Sequence, residues 1–166
     1  MILHAGLIAR REPGRGWRGV LIGGPSGAGK SDLALRALDA GWSLVADDRT
    51  VLWLSDGRLY GRAAPALSGL IEARGLGVLA QPSRALAAVD LVVDCVGRPE
   101  DVERAPDFQA RELLGVKIPS VRLYATAVSA VAKLTLALRH LGLRRQPAYQ
   151  ASRVGAPPSA STGGDP

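Results

Sequence analysis

Hydrophobic positions in this chain fall into short runs separated by glycine, proline and charged residues, a pattern that favours many strands and few helices. Residues 2–10 and 17–22 are two such runs, and the polar segment between them predicts a turn, so we expect the two strands to pair as a hairpin. The spacing of leucine and alanine from 32 to 40 instead predicts a helix, which Gly41 would end. A second helix with a broad apolar face is predicted over 128–141.

The remaining elements follow from the same pattern. Residues 50–54 and 59–60 flank a polar turn that contains Asp56-Gly57, which predicts a second hairpin. After residue 143 the composition changes to proline, glycine, serine and alanine, so we expect one α/β domain over 1–143 and a disordered tail over 144–166. Further strands are predicted over 43–46, 91–96 and 116–124, the last at an edge or bulged because it contains Pro119, and short helices over 66–73 and 109–114.

A loop between the strand at 17–22 and the first helix has the complete spacing of a phosphate-binding loop. Glycine allows backbone conformations that a Cβ would hinder, and the loop N–H groups and the helix N-terminus then converge on one point, which suits a phosphate group. The lysine would reach the outer phosphates, and the serine hydroxyl would contact Mg²⁺. We therefore expect nucleotide phosphates to bind at Gly24, Pro25, Ser26, Gly27, Ala28, Gly29, Lys30 and Ser31.

Two adjacent carboxylates, Asp47 and Asp48, follow the short strand that comes after the first helix. In an α/β arrangement this strand ends at the carboxyl edge of the sheet, beside the phosphate loop. One carboxylate can hold Mg²⁺ through water or pair with Lys30, and the other can accept a proton from an incoming hydroxyl group. A turn in which both residues only cap backbone groups is the alternative.

Composition narrows the class of protein further. The net charge is +6, but the arginines are scattered and are not interleaved with aromatic residues, so we expect a basic surface without a nucleic-acid partner. The single cysteine, Cys95, excludes an internal disulfide and lies in an apolar run, where we interpret it as a core residue. No apolar segment approaches ~20 residues and the start lacks a signal-peptide pattern, so we expect a cytoplasmic protein without a membrane span.

The phosphate loop, the Asp47-Asp48 pair and a third segment together resemble the HPr kinase/phosphorylase family. The third segment, Ile71-Glu72-Ala73-Arg74-Gly75-Leu76-Gly77-Val78-Leu79, is similar to that family's signature of Glu, apolar, Arg, Gly, apolar, Gly. His4 also stands one strand before the loop strand, as in the family. The resemblance runs from about residue 4 to residue 138 and is strongest over 19–79.

This resemblance implies an α/β fold with a P-loop similar to that of phosphoenolpyruvate carboxykinase, in a mixed sheet with flanking helices. It implies an ATP- and Mg²⁺-dependent kinase that phosphorylates a serine of HPr, the phosphocarrier of the sugar phosphotransferase system, and that forms a homo-oligomer. The family also runs a phosphorolysis of phosphoserine-HPr, which consumes inorganic phosphate and yields pyrophosphate.

The resemblance also implies roles for individual residues. Asp47 matches the residue that takes the serine proton, and Ser31 and Glu72 match the metal ligands. Within the third segment, an arginine can face a phosphate with its planar guanidinium group. The complete set of expected catalytic and binding positions outside the loop is His4, Lys30, Asp47, Asp48, Arg104, Glu72 and Arg74.

The chain departs from the longer members of the family in three ways. It begins almost at His4, so we expect a single-domain member without their additional N-terminal domain. Ala105-Pro106 follows Arg104 where they have Leu-Gly, and residues 125–128 read Ala-Thr-Ala-Val where they have a Pro-Gly-Arg-Asn loop tied to phosphorolysis. Phosphorolysis therefore stays open at this point. Two other functions stay open as well: a nucleotide-binding regulatory module without phosphoryl transfer, and a small-molecule P-loop kinase.

Overall fold

The computed structural model of the protein describes residues 1–142, which form eleven strands, two α-helices and two single 3₁₀ turns. The helices are α1 (Lys30–Asp39) and α2 (Ala130–Leu141). The strands are β1 (Ile2–Leu3), β2 (Gly6–Glu12), β3 (Gly16–Gly23), β4 (Ser43–Ala46), β5 (Thr50–Ser55), β6 (Arg58–Ala63), β7 (Leu70–Ala73), β8 (Gly77–Ala80), β9 (Ala87–Val96), β10 (Gln109–Leu113) and β11 (Val116–Tyr124). The tail predicted over 144–166 lies outside the described residues.

Nine strands form one mixed sheet, in which β1-β5-β6-β9-β3-β2-β4 are successive neighbours. The first residues of β9 pair with β6, and its last residues pair with β11, which in turn pairs with β10. Strand β3 is parallel to β9 and antiparallel to β2, and β2 is antiparallel to β4. Strands β4, β3, β9 and β11 therefore run in the same direction, and their carboxyl ends meet at one edge of the sheet.

Side chains alternate between the two faces of this sheet, as the period of a strand requires. Along β3, Val20 and Ile22 face one core cluster, whereas Leu21 faces the other. Both helices pack on the first face, α1 through Leu33, Ala34 and Ala37 and α2 through Ala130, Leu134 and Leu138. Side chains of β5, β6, β10 and β11 cover the second face. The predicted mixed sheet with flanking helices is confirmed, with the helices on one face and strands over the other.

The helix predicted over 66–73 is wrong. Pro65–Leu67 is a single 3₁₀ turn, and the chain then forms the hairpin β7–β8, a separate two-stranded sheet. Gly69 has a φ of +72°, which interrupts a helical path. Ile71 and Ala73 are buried and Glu72 between them is exposed, so burial follows the period of a strand.

The helical turn predicted over 109–114 is also wrong, because residues 109–113 are strand β10 and pair with β11 throughout. Strand β11 lies between β10 and β9 and is not at an edge; its pairing with β9 begins at Ser120, the residue after Pro119. The second helix starts later than predicted, at Ala130, which leaves Val128 outside it and fully exposed. No helix within residues 1–142 is long and apolar enough to cross a membrane.

Candidate active site

The loop between β3 and α1 has the backbone conformation that its glycines predict. Gly24, Gly27 and Gly29 have φ values of +133°, +81° and +84°, a region that other residues seldom adopt. A Cβ at Gly24 would lie 2.5 Å from the carbonyl oxygen of Cys95, and one at Gly29 would lie 3.0 Å from Cγ2 of Thr126. Close packing against these neighbours therefore fixes the loop in a shape that only glycine permits.

The start of α1 is suited to an anion. Gly29 is the N-cap residue, and no side chain accepts a hydrogen bond from the first turn, so its N–H groups are not satisfied by a capping side chain. Lys30 Nζ donates hydrogen bonds to the carbonyl oxygens of Gly24 (3.1 Å) and Pro25 (3.0 Å), which keeps the ammonium group at the loop. Positive charge and free donors at one helix N-terminus fit a nucleotide phosphate.

An open cleft of about 480 Å³ joins this loop to most of the other predicted residues, but Asp47 and Arg104 do not line it. The cleft is lined by the loop, the first turns of α1, the residue after β1, the turn after β4 and strand β7 with its turn. Those predicted residues that line it are His4, Ser26, Gly27, Gly29, Lys30, Ser31, Asp48, Glu72 and Arg74. They come from distant parts of the sequence, and they meet because β3 and β4 end at the same edge of the sheet while β2 starts there.

The two adjacent carboxylates have different surroundings. Asp47 Oδ2 accepts a hydrogen bond of 2.9 Å from the backbone N–H of Glu72, which ties the end of β4 to the hairpin β7–β8. Burial raises the pKa of Asp47, the Glu72 N–H partly opposes that rise, and the neighbouring charge of Asp48 adds to it. Asp48 has a left-handed φ of +58°, and its Oδ1 lies 3.8 Å from Nε2 of His4 in the cleft.

Arg104 does not join this group. It is exposed in the segment between the 3₁₀ turn Pro99–Asp101 and β10, and it is not among the residues that line the cleft.

Among residues 1–142, no three His, Cys, Asp or Glu side chains are arranged to hold a metal ion. The predicted ligands Ser31 and Glu72 both line the cleft, and a hydroxyl and a carboxylate suit Mg²⁺, which keeps several waters and phosphate oxygens as further ligands.

Sequence reasoning missed two groups beside the loop. Arg111 Nη2 and Asp94 Oδ1 form an ion pair of 2.8 Å next to Gly23, the register partner of Asp94. The signal for Asp94 was present, because it is a carboxylate near the carboxyl end of a buried strand. Arg111 gave no such signal, since it lies on a strand that local propensity predicts as helix.

The second missed group is Arg36 on α1. Its guanidinium pairs with Asp32 at 2.8 Å and donates hydrogen bonds to the carbonyl oxygens of Ala125 and Ala127. The segment after β11, which packs against Gly29, is thereby tied to the loop helix.

Cys95 is buried below the loop, and burial raises the pKa of its thiol to about 12, in keeping with the core position predicted for it.

Comparison with known proteins gives consistent matches. Residues 17–151 match the family described as HPr Serine kinase C-terminal domain. The chain is 38% identical over 137 residues to HPr kinase/phosphorylase of Cupriavidus necator, a match that covers 76% of this chain and 42% of that protein. It is also 38% identical over 117 residues to HPr kinase/phosphorylase of Streptococcus thermophilus, covering 63% of this chain and 38% of that one. The chain thus spans less than half the length of these relatives.

A solved structure shares the fold. The Hpr(Ser) kinase/phosphatase from Coxiella burnetii superposes with a TM-score of 0.74 at 24% sequence identity, and the match covers 92% of this chain and 96% of that chain. The likeness extends over nearly the whole of both chains, so the two proteins share the arrangement of strands and helices described above.

Proposed function

The chain belongs to the HPr Serine kinase C-terminal domain family, and from that membership we propose that it is an ATP- and Mg²⁺-dependent kinase that phosphorylates a serine of an HPr-type phosphocarrier. The observation that carries this proposal is the cleft, in which the phosphate loop, Asp48, Glu72 and Arg74 line one space at the carboxyl edge of the sheet. Asp47 is linked to the same space through its hydrogen bond to Glu72.

Phosphoryl transfer requires neutralisation of the negative charge on the phosphate oxygens, in-line placement of the two reacting oxygens, and a proton acceptor for the hydroxyl. In the proposed reaction the serine Oγ forms a bond to the γ-phosphorus, the bond from that phosphorus to the β,γ-bridging oxygen breaks, and ADP leaves. Lys30 and the N–H groups at the start of α1 stabilise the phosphate charge. When bound, Mg²⁺ would be held by Ser31 and Glu72 and would neutralise phosphate oxygens.

We assign the proton from the serine Oγ to Asp47. Partial burial raises the pKa of this carboxyl, which makes it a better proton acceptor than an aspartate in water. Its Oδ2 accepts the hydrogen bond from Glu72 N–H, which fixes the carboxyl group next to a residue that lines the cleft. Asp47 itself does not line the cleft, whereas its neighbour Asp48 does, with Oδ1 3.8 Å from Nε2 of His4. Arg74 lines the same cleft and can face a phosphate.

The test is incubation of the chain with radiolabelled ATP, Mg²⁺ and purified HPr. We expect labelled phosphoserine on HPr, and none when Mg²⁺ is removed with a chelator. Nucleotide binding without transfer would identify a regulatory module instead, and transfer to a small metabolite in place of HPr would identify a small-molecule kinase. Incubating phosphoserine-HPr with inorganic phosphate and assaying pyrophosphate tests phosphorolysis, and light scattering tests the predicted homo-oligomer.

A further inference from the structure

Two exposed apolar side chains lie on the hairpin β7–β8, whose residues Glu72 and Arg74 line the cleft. Leu76 is 76% exposed in the turn of the hairpin, and Val78 is 65% exposed on β8. Single exposed apolar residues are ordinary on protein surfaces, so their position relative to the cleft decides whether they matter.

The register of the hairpin gives that position. Val78 pairs directly with Glu72, and directly paired residues of antiparallel strands project from the same face. Glu72 lines the cleft, so Val78 lies beside the cleft on the same face of the hairpin. Ile71 and Leu79, the next pair, project from the other face, where Ile71 is buried in the core next to α1.

The hairpin is anchored to the body of the protein. The backbone N–H of Glu72 donates to Asp47, and the N–H of Gln81 donates to the carbonyl oxygen of Gly69 at 2.8 Å, which closes the base of the hairpin. A surface that is fixed at the site in this way can position a partner, because binding does not first have to order it.

We propose that Leu76 and Val78 form the docking surface for the protein substrate, which contacts them with an apolar patch next to its acceptor serine. This inference rests on the proposed function. A serine on a folded protein can reach the cleft only if the surface around it meets the rim of the cleft, and the hairpin supplies an apolar rim. Arg74, in the turn of the same hairpin, lines the cleft and gives the rim a positive charge.

The experiment compares the double variant Leu76→Ser, Val78→Thr with the wild type in steady-state transfer to HPr. We expect KM for HPr to rise on the order of tenfold, with kcat at saturating HPr and KM for ATP close to the wild-type values. Both residues are exposed, so the variant should fold, and circular dichroism and the melting temperature check this. Leu136→Ser is the matched control, because Leu136 is an exposed apolar residue (52%) on α2 and not on the hairpin.

The outcomes separate the inference from the function on which it rests. Transfer by the wild type with an unchanged KM in the double variant, or an equal rise in the Leu136→Ser control, overturns the docking surface and leaves the kinase assignment intact. Absence of transfer by the wild type overturns both. Light scattering decides the remaining alternative, since a wild-type oligomer that dissociates in the double variant would show that a second copy of the chain covers this surface.

Discussion

An ion pair lies beside each end of strand β3, and the two pairs differ in their exposure to water. Near its start, Arg18 Nε lies 3.6 Å from Asp90 Oδ2, and the two side chains are 6% and 5% exposed. At its carboxyl end, Arg111 and Asp94 are 2.8 Å apart and are 44% and 28% exposed. Water can solvate the second pair when a partner is lost but cannot reach the first. The buried charges at the start of β3 therefore stabilise the fold. The pair at its carboxyl end contributes less to stability and can interact with a ligand.

The surroundings of the buried pair support this distinction. Arg18 also donates a hydrogen bond of 3.0 Å to the carbonyl oxygen of Leu138, near the end of α2, and Arg58 lies 3.5 Å from Asp90. Burial raises the pKa of Asp90, although both arginines favour its charged form. The pair thus joins α2, β3, β6 and β9 at the end of the sheet away from the phosphate loop.

The largest effect is expected from Lys30→Ala at the loop. The variant loses the cation that faces the outer phosphates, so transfer to HPr should fall by a factor of about a thousand or more, with weaker ATP binding. The free energy of unfolding should change by less than about 1 kcal/mol, because only two part-exposed hydrogen bonds are lost. Calorimetry with ATP and chemical denaturation measure the two quantities, and an unchanged ATP affinity would contradict the loop assignment.

Asp47→Asn comes next, with a loss of transfer of about a hundredfold or more, because the amide cannot take the serine proton. ATP affinity should be retained, since the carboxylate acts on the hydroxyl and not on the nucleotide. Transfer near the wild-type rate would rule out Asp47 as the proton acceptor.

The pH dependence of stability in the same variant has a defined sign. Burial raises the pKa of Asp47 in the folded state, so ionisation costs stability as pH rises through that raised pKa. Asp47→Asn should therefore be at least as stable as the wild type at neutral pH, and the difference should vanish in acid, where Asp47 is protonated in both states. Melting temperatures of the variant and the wild type across a pH series measure this.

Asp90→Ala probes the other end of β3. It leaves Arg18 buried without its carboxylate, and we expect the free energy of unfolding to fall by about 3 to 5 kcal/mol. The affinity of the folded protein for ATP should not change, because Asp90 lies away from the cleft. Denaturant titration measures the loss, and a variant as stable as the wild type would show that the buried pair is not needed by the fold.

The smallest effect is expected from Arg111→Met, on β10 beside the carboxyl end of β3. Its pair with Asp94 is part-exposed, so the loss should be about 1 kcal/mol or less. Arg18→Met is the matched change at the start of the strand and should cost several times more. Equal losses in the two variants would remove the distinction between the two ends.

Most of the fold was predictable because each strand or helix carries its own period, and the exceptions have physical causes. Residues 109–113 contain good helix formers and only Leu113 is buried, so local propensity favoured a helix, whereas pairing with β11 makes them a strand. Local propensity favours a helix over 66–73 for a similar reason, although Ile71 and Ala73 alternate with Glu72 in burial. In both segments the tertiary partner, which the local sequence does not reveal, decides the structure.

The candidate site was also predictable only in part. The loop and Asp47-Asp48 follow from motif and strand order, and the structure brings Asp48 and most of the loop into one cleft. That Asp47 is turned toward the backbone of Glu72 could not be predicted, because that contact depends on the hairpin β7–β8. Arg104 was predicted by position alone and lies outside the cleft, so its role stays a prediction.

The position of Cys95 has a practical consequence. The only cysteine of the chain is buried directly beneath Gly24, with its carbonyl oxygen in the space that a side chain there would need. A thiol with a pKa near 12 is almost wholly protonated at neutral pH and reacts slowly with disulfide reagents. Labelling of this single sulfur therefore requires the phosphate loop to move away from Cys95. The labelling rate thus measures how far a bound nucleotide reduces that motion of the loop.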